Sequence, residues 1–345
     1  MRFPFIMMAT YLMYLLSKVL SLPDTLLSGL DDMLSWLRRR GMGDWPTALV
    51  LLAPALTIVF VFVLIPMVSS FYMSLYGGRH GMGAFVGLNN YAEALRNPEF
   101  RRSFMVTVYY VCGVVPLSLI ISFLVAYGLF RITRFRGLLR SIYFLPYVTS
   151  AVAAAMVWRA LFNPQYGIVN LLLNHFGIDA LNWLLEPRGV LHMVSGGIIS
   201  HEVGPSLGLV CIILFDVWHG SGFMIVVFLA GLTAMPRDLE EAARLDGAGG
   251  WRLLRHVTLP VLSPTIFFLA IVGVIRAFQA FNSFYALTHG GGMTDTQNLI
   301  LYIYAQFYQY GYWGYSAAVA TLLITAIVLL TGFQWWLFGR KVHYA

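Results

Sequence analysis

The chain has 345 residues, 59% of them hydrophobic and 11% charged, with a formal charge of +7 and a mean hydropathy of +0.75. A soluble domain carries about 25% charged residues, and no aqueous core absorbs this much apolar side chain, so lipid is the expected solvent. Apart from Lys18 and Lys341 the positive charge is all arginine, set in short runs between apolar stretches, which points to membrane topology rather than to nucleic acid.

In chain order, residues 1–46 read as an N-terminal cytoplasmic or interfacial segment. Phe5–Leu22 is apolar except for Ser17 and Lys18, and Leu26–Leu37 has apolar residues at helical spacing before Arg38, Arg39 and Arg40. An amphipathic interfacial helix is the preferred reading and a seventh span its alternative. No small-residue cleavage site follows, against a signal peptide. Residues 47–345 read as the transmembrane domain. A helix needs about 20 apolar residues to cross the hydrocarbon, where no backbone polar group can be left unpaired. Six stretches qualify: Ala48–Tyr72, Phe104–Phe130, Ser141–Phe162, Leu207–Ala234, Pro264–Thr288 and Trp313–Phe338. The outer loop 163–205 is long for a hairpin and is expected to fold on the surface, with Val190–Ile199 as a short interfacial helix.

The positive-inside rule orients the chain. With the N-terminus inside, Arg131, Arg134, Arg136, Arg140, Arg237, Arg244, Arg252, Arg255, Arg340 and Lys341 face the cytoplasm together with the N-terminal charges. Only Arg79, Arg96, Arg101, Arg102 and Arg188 lie outside, so both termini are expected in the cytoplasm.

Cys112 and Cys211 sit in apolar stretches without Cys or His spacing for zinc, so no metal site is expected. No GxxxxGK[ST] loop occurs, so any nucleotide energy is expected from another subunit. Neither paired carboxylates nor a Ser/His/Asp set shares one depth, so no catalytic residues are assigned and no enzyme is expected.

The cytoplasmic loop 235–263 carries the most specific signal. Pro236 suits a helix start, Asp238, Glu240 and Glu241 suit its positive end, and Gly247 suits a left-handed stop, which predicts a short helix, a glycine turn and a second short helix. Glu241-Ala242-Ala243, then Gly247, then nine residues, then Val257-Thr258-Leu259-Pro260 resembles the EAA signature of permeases in ATP-binding-cassette (ABC) importers. Asp246-Gly247-Ala248 resembles the carbohydrate branch. Val86-Gly87-Leu88-Asn89-Asn90-Tyr91, Leu145-Pro146-Tyr147, Leu161-Phe162-Asn163-Pro164 and Phe228-Leu229-Ala230-Gly231-Leu232 are similar to the maltose and glycerol-3-phosphate permeases, and the ending Gly339–Tyr344 looks like the first permease of such pairs.

This resemblance implies an all-α integral membrane protein of about six transmembrane helices in the type I importer permease fold, in a bacterial or archaeal inner membrane. It implies a second permease, two ATP-binding subunits and an extracytoplasmic sugar-binding protein as partners. ATP and magnesium belong to the partner ATPase, and no cofactor is expected on this chain. Glu240, Glu241, Ala242, Ala243, Asp246, Gly247, Leu259 and Pro260 would couple it to that ATPase, with Glu240 and Glu241 paired to ATPase cations.

A sugar needs hydrogen-bonding groups and aromatic faces rather than net charge. The fifth span carries Arg276, Gln279, Asn282 and Ser283, whose offsets place them on one broad helical face, expected to look into the pore. Asp216, His219 and Phe223 on the fourth span, and Tyr147 and Ser150 on the third, complete the expected substrate pathway. Tyr147, Asn282 and Ser283 match sugar-contacting positions of the maltose permeases, whereas Ala151 departs from a serine there. Asp216 and Arg276 fall near mid-membrane, where an ion pair between them is one expectation. The alternative function is an ion-coupled secondary transporter using Asp216, His219 and Arg276 as a relay, for which inverted repeats would be the supporting sign.

Overall fold

The computed structural model describes residues 45–132, 135–186, 188–196, 198, 200, 204–288 and 296–339. Expectations for residues 1–44, and for the C-terminal residues 340–345, lie outside them. The chain divides into two units, Met1–Ser69 and Ser70–Ala345. The described part of the first is helical from Trp45 to Val59, passes through a π turn at Phe60–Leu64, and continues in the helix Ile65–Ser74.

The second unit holds the helices that build the site. A short helix, Asn89–Arg96, leads into α1, Pro98–Arg131. Asn97 caps α1, its Oδ1 accepting from Glu99 N at 2.8 Å and Phe100 N at 3.4 Å, and Pro98 and Glu99 suit the first turn. At 34 residues α1 is about 51 Å long, longer than the hydrocarbon thickness of about 30 Å. Next come α2, Arg136–Val148, and α3, Ala151–Leu161. Loop 163–205 follows, with helices Ile168–His175 and Val190–Val194; the latter falls where a short helix was expected over 190–199 and covers its first five residues. Asn170 organises this loop: its amide donates to Pro164 O and Leu181 O, and its Oδ1 accepts from Leu181 N and Trp183 Nε1, all within 3.1 Å.

The fourth span is α4, Leu207–Ala234, capped by Ser206. Helix α5, Arg237–Leu245, in loop 235–263, precedes α6, Ser263–Phe278, and α7, Asn282–Leu287. Last are α8, Leu299–Tyr304, and α9, Trp313–Phe338.

Four single helices are long and apolar enough to span, and two bent pairs bring the total to six if each pair is one span. The third span is not the continuous helix expected over 141–162: α2 and α3 meet at 94° around Thr149 and Ser150. The fifth is also not straight: Gly250–Val261 and Ser263–Phe278 form the second bent pair, at 66°, and the helix breaks again between Phe278 and Asn282, where α7 opens.

Within a bilayer apolar burial adds little, so helices pair through close backbone approach. A Cβ on Gly113 of α1 would stand 2.7 Å from Ile213 Cδ1 of α4, and one on Gly222 would stand 2.9 Å from the Tyr143 carbonyl of α2. Two apolar clusters result. One holds α1 up to Val115 and α4 up to Val217; the other takes over from Ala126 and Met224. Cys211 is buried in the first, whereas Cys112 is exposed on α1.

Candidate functional site

Between those clusters, where α2–α3 and α6–α7 both break, lies a cavity of ≈ 270 Å³. The two breaks need their backbone groups satisfied, because lipid offers no partners. At the first, Thr149 Oγ1 donates to Pro146 O at 2.6 Å, Ser150 Oγ caps α3 by accepting from Ala153 N, and His219 Nε2 lies 3.3 Å from the Thr149 carbonyl. At the second, the fully buried Asn298 donates its amide to Ala280 O at 2.6 Å while its Oδ1 caps α8 through Leu301 N at 3.0 Å. Both interruptions are therefore built features.

Tyr147, Asp216, His219, Arg276, Gln279, Asn282 and Ser283 line the cavity as expected. They do so for a different reason from the predicted one: the helical turn stops at Phe278, so residues 276–283 face inward from a broken segment and not along one stripe. Ser150 and Phe223 do not line it. Ser150 spends its hydroxyl on the cap, and Phe223 stacks behind Tyr147 with centroids 5.8 Å apart.

Tyr110 and Ser118 of α1, Gly220 of α4 and Phe281 at the break line the cavity without having been anticipated. Tyr110 and Ser118 are eight residues apart on one helical face, a weak signal inside so apolar a stretch.

The cavity is chemically two-sided. On its inner wall Tyr110, 3% exposed, donates its hydroxyl to Asp216 Oδ2 at 2.7 Å and meets Phe284 edge-on. On its open side stand Arg276, Gln279 and Asn282, all exposed. The Arg276 guanidinium sits 5.5 Å from the Tyr147 ring centroid and 5.6 Å from that of Phe223, with Nη2 3.4 Å from the Tyr147 hydroxyl. The ion pair considered for Asp216 and Arg276 does not form, because each has a nearer neighbour: a phenol donor for the carboxylate and two ring faces for the guanidinium. No hydrogen bond links Asp216, His219 and Arg276 to one another either, and the His219 ring is engaged with backbone, so the proposed relay is not assembled.

Loop 235–263 has the shape its sequence predicts. Helix α5 starts one residue later than expected, with Pro236 at its N-cap, and ends at Asp246. Gly247 adopts φ +79°, its N–H donating to Arg244 O at 3.1 Å and the next N–H, of Ala248, to Ala243 O at 2.9 Å. A second helical stretch follows, Gly250–Leu253, a π turn over Leu254–Thr258, then Leu259–Val261. Glu241, Ala242, Asp246 and Gly247 are exposed, while Glu240, Ala243, Leu259 and Pro260 are half-buried. Glu240 is already paired within the chain, to Arg244 at 2.6 Å. Leu245 and Trp251, 89% and 70% exposed, flank the glycine turn and escaped the sequence reading, which weighted charge over apolar exposure.

A helical membrane protein with this loop matches a family model described as the binding-protein-dependent transport system inner membrane component, over residues 82–342. The chain belongs to this family. Among its relatives, the trehalose/maltose transport system permease protein MalF of Thermococcus litoralis is 32% identical over 286 residues, 82% of this chain and 90% of that one. The inner membrane ABC transporter permease protein YcjO of Escherichia coli is 33% identical over 297 residues, 84% and 94% of the two chains. The sn-glycerol-3-phosphate transport system permease protein UgpA of Agrobacterium fabrum is 28% identical, over 86% and 95%. A chain in the crystal structure of a bacterial ABC transporter that imports the acidic polysaccharide alginate superposes with a TM-score of 0.70 at 19% identity, over 90% of this chain and 99% of that one. The protein is thus an ABC transporter permease with the importer permease fold, and a multi-pass membrane protein.

Proposed function

We propose that this permease forms half of the translocation pore of an ATP-driven, binding-protein-dependent sugar importer, and that its cytoplasmic loop transmits the work of a partner ATPase. The observation that carries the reading is the cavity at the two helix breaks. It offers an acceptor, Asp216, amide and hydroxyl groups, Gln279, Asn282 and Ser283, and ring faces, Tyr147 and Phe281, which is what a polyhydroxylated ring requires. The relatives are named for trehalose and maltose, lactose, and glycerol 3-phosphate, so hydroxylated cargo is common to them while charge is not.

The loop supplies the second half of the proposal. Its exposed Leu245 and Trp251, on either side of Gly247, offer apolar side chains suited to a groove on an ATPase subunit, with Glu241 exposed on the same loop. Closure of two such ATPase subunits would rock the permease pair between two packings and expose the cavity to either side in turn. With both termini inside, loop 163–205 faces the binding protein and loop 235–263 the ATPase.

Gly220 provides the test. It lines the cavity, and a Cβ added there meets nothing within 4 Å, so Gly220→Leu puts bulk into the path without straining the backbone. In the complete importer reconstituted in proteoliposomes, Gly220→Leu should assemble and lose at least about tenfold in uptake, with Gly220→Ala between it and wild type. Wild-type uptake by the leucine variant would mean that cargo does not pass this cavity.

A further inference from the structure

We infer that the cargo of this importer carries an acidic group, a carboxylate or phosphate on a hydroxylated ring, and that Arg276 is the residue that receives it. The inference rests on the sugar-importer reading and narrows it.

A guanidinium inside a membrane span is costly and is normally offset by a carboxylate or a wet cavity facing it. Among the described residues Arg276 has no acidic partner. Its neighbours are the rings of Tyr147 and Phe223 and, at 3.4 Å, the Tyr147 hydroxyl. The two ring contacts use the guanidinium's charge and not its donors, and of its five N–H groups one, on Nη2, is spent on the Tyr147 hydroxyl while the others have no hydrogen-bond partner among the described residues. Arg276 lines the cavity together with Gln279 and Asn282. An arginine so presented offers parallel N–H donors matched to a carboxylate or phosphate, a geometry of little added value to a neutral hydroxyl.

Asp216, the one acid among the described residues that line the same cavity, does not defeat this reading. It is held on the inner wall by Tyr110, whereas Arg276 is on the open side. A sugar acid entering with its charge toward Arg276 presents its neutral hydroxyls to Asp216, which accepts from them. The reversed pose sets anion against anion. Asp216 and Arg276 thereby select both the class of cargo and its orientation.

The test uses the complete importer in proteoliposomes, supplied with two matched pairs: a hexuronate disaccharide against its neutral hexose counterpart, and a hexose 6-phosphate against the free hexose. The expected result is faster uptake of the acidic member of at least one pair by wild type. Arg276→Gln should lower that uptake by at least about tenfold, the scale of a lost charge-assisted hydrogen bond, and Arg276→Lys should fall between. Preferred uptake of a neutral member by wild type overturns the inference while leaving a sugar importer. Acidic preference unaltered in Arg276→Gln also overturns it, since Arg276 is then not the contact. Uptake of none of the four probes by wild type overturns the sugar reading and this inference together. If Arg276→Gln fails to assemble, the wild-type preference and the lysine variant still decide.

Discussion

Loop 235–263 and the membrane cavity are built in opposite ways. The loop is local: Arg237 to Val261 contains its own helix, glycine stop and second helix, and its internal hydrogen bonds reach no further than five residues. The cavity is assembled from α1, α2, α4, α6 and α7, and its key bond, Tyr110 to Asp216, joins residues 106 apart. A local motif can lose its function with its shape intact, whereas breaking one of the long-range bonds that assemble the cavity should cost shape and function together.

Gly247→Asp should bring out that contrast most strongly. Aspartate enters the left-handed region more readily than most residues, and a Cβ at Gly247 meets nothing within 4 Å, so the turn should survive. Thermal stability in detergent is expected to move by less than about 1 kcal/mol, while uptake drops by more than about tenfold and ATP hydrolysis by the complex continues. Normal uptake would remove the loop from the coupling path.

Asn298→Ala attacks the other side. It leaves the Ala280 carbonyl without its amide donor and α8 without its cap, at a cost of about 3 kcal/mol. Uptake and melting temperature should fall together; a variant that transports poorly but melts like wild type would show that the α6–α7 break holds itself open. Tyr110→Phe is milder. It removes only the phenol hydroxyl from Asp216, so about 1–2 kcal/mol should be lost in the same melting assay, and an unchanged melt would mean that Asp216 finds another donor.

The smallest effect lies in the outer loop, away from both regions. The Glu186 carboxyl is held below the usual carboxylate range chiefly by the side-chain hydrogen bond from Arg188, in a two-pronged contact at 2.6 and 2.9 Å, against the opposing effect of its own burial. A depressed carboxylate stabilises the folded loop fully above its unfolded pKa, and that contribution is lost as pH falls through the folded value. Since Arg188 is half-exposed, under about 1 kcal/mol is at stake. Proteolysis of the loop should rise gently with acid below the ordinary carboxylate range, and Arg188→Ala should flatten that dependence.

The sequence alone determined the solvent, the approximate spans and the geometry of the loop. Lipid forces long apolar runs, and a turn such as Asp246-Gly247 follows from the residues that form it. It also named seven of the residues that line the cavity, because polar groups inside spans are rare enough to stand out. What it did not contain was how they meet. A continuous period of 3.6 residues was the natural assumption for 264–288, yet α6 stops at Phe278, and the Ala280 carbonyl at the break is taken by Asn298, outside that span. Asp216 and Arg276 seemed suited to each other by charge and depth. Tertiary packing decided otherwise, setting Tyr110 against the carboxylate and two aromatic faces against the guanidinium, since a donor already in place from α1 satisfies Asp216 without the arginine.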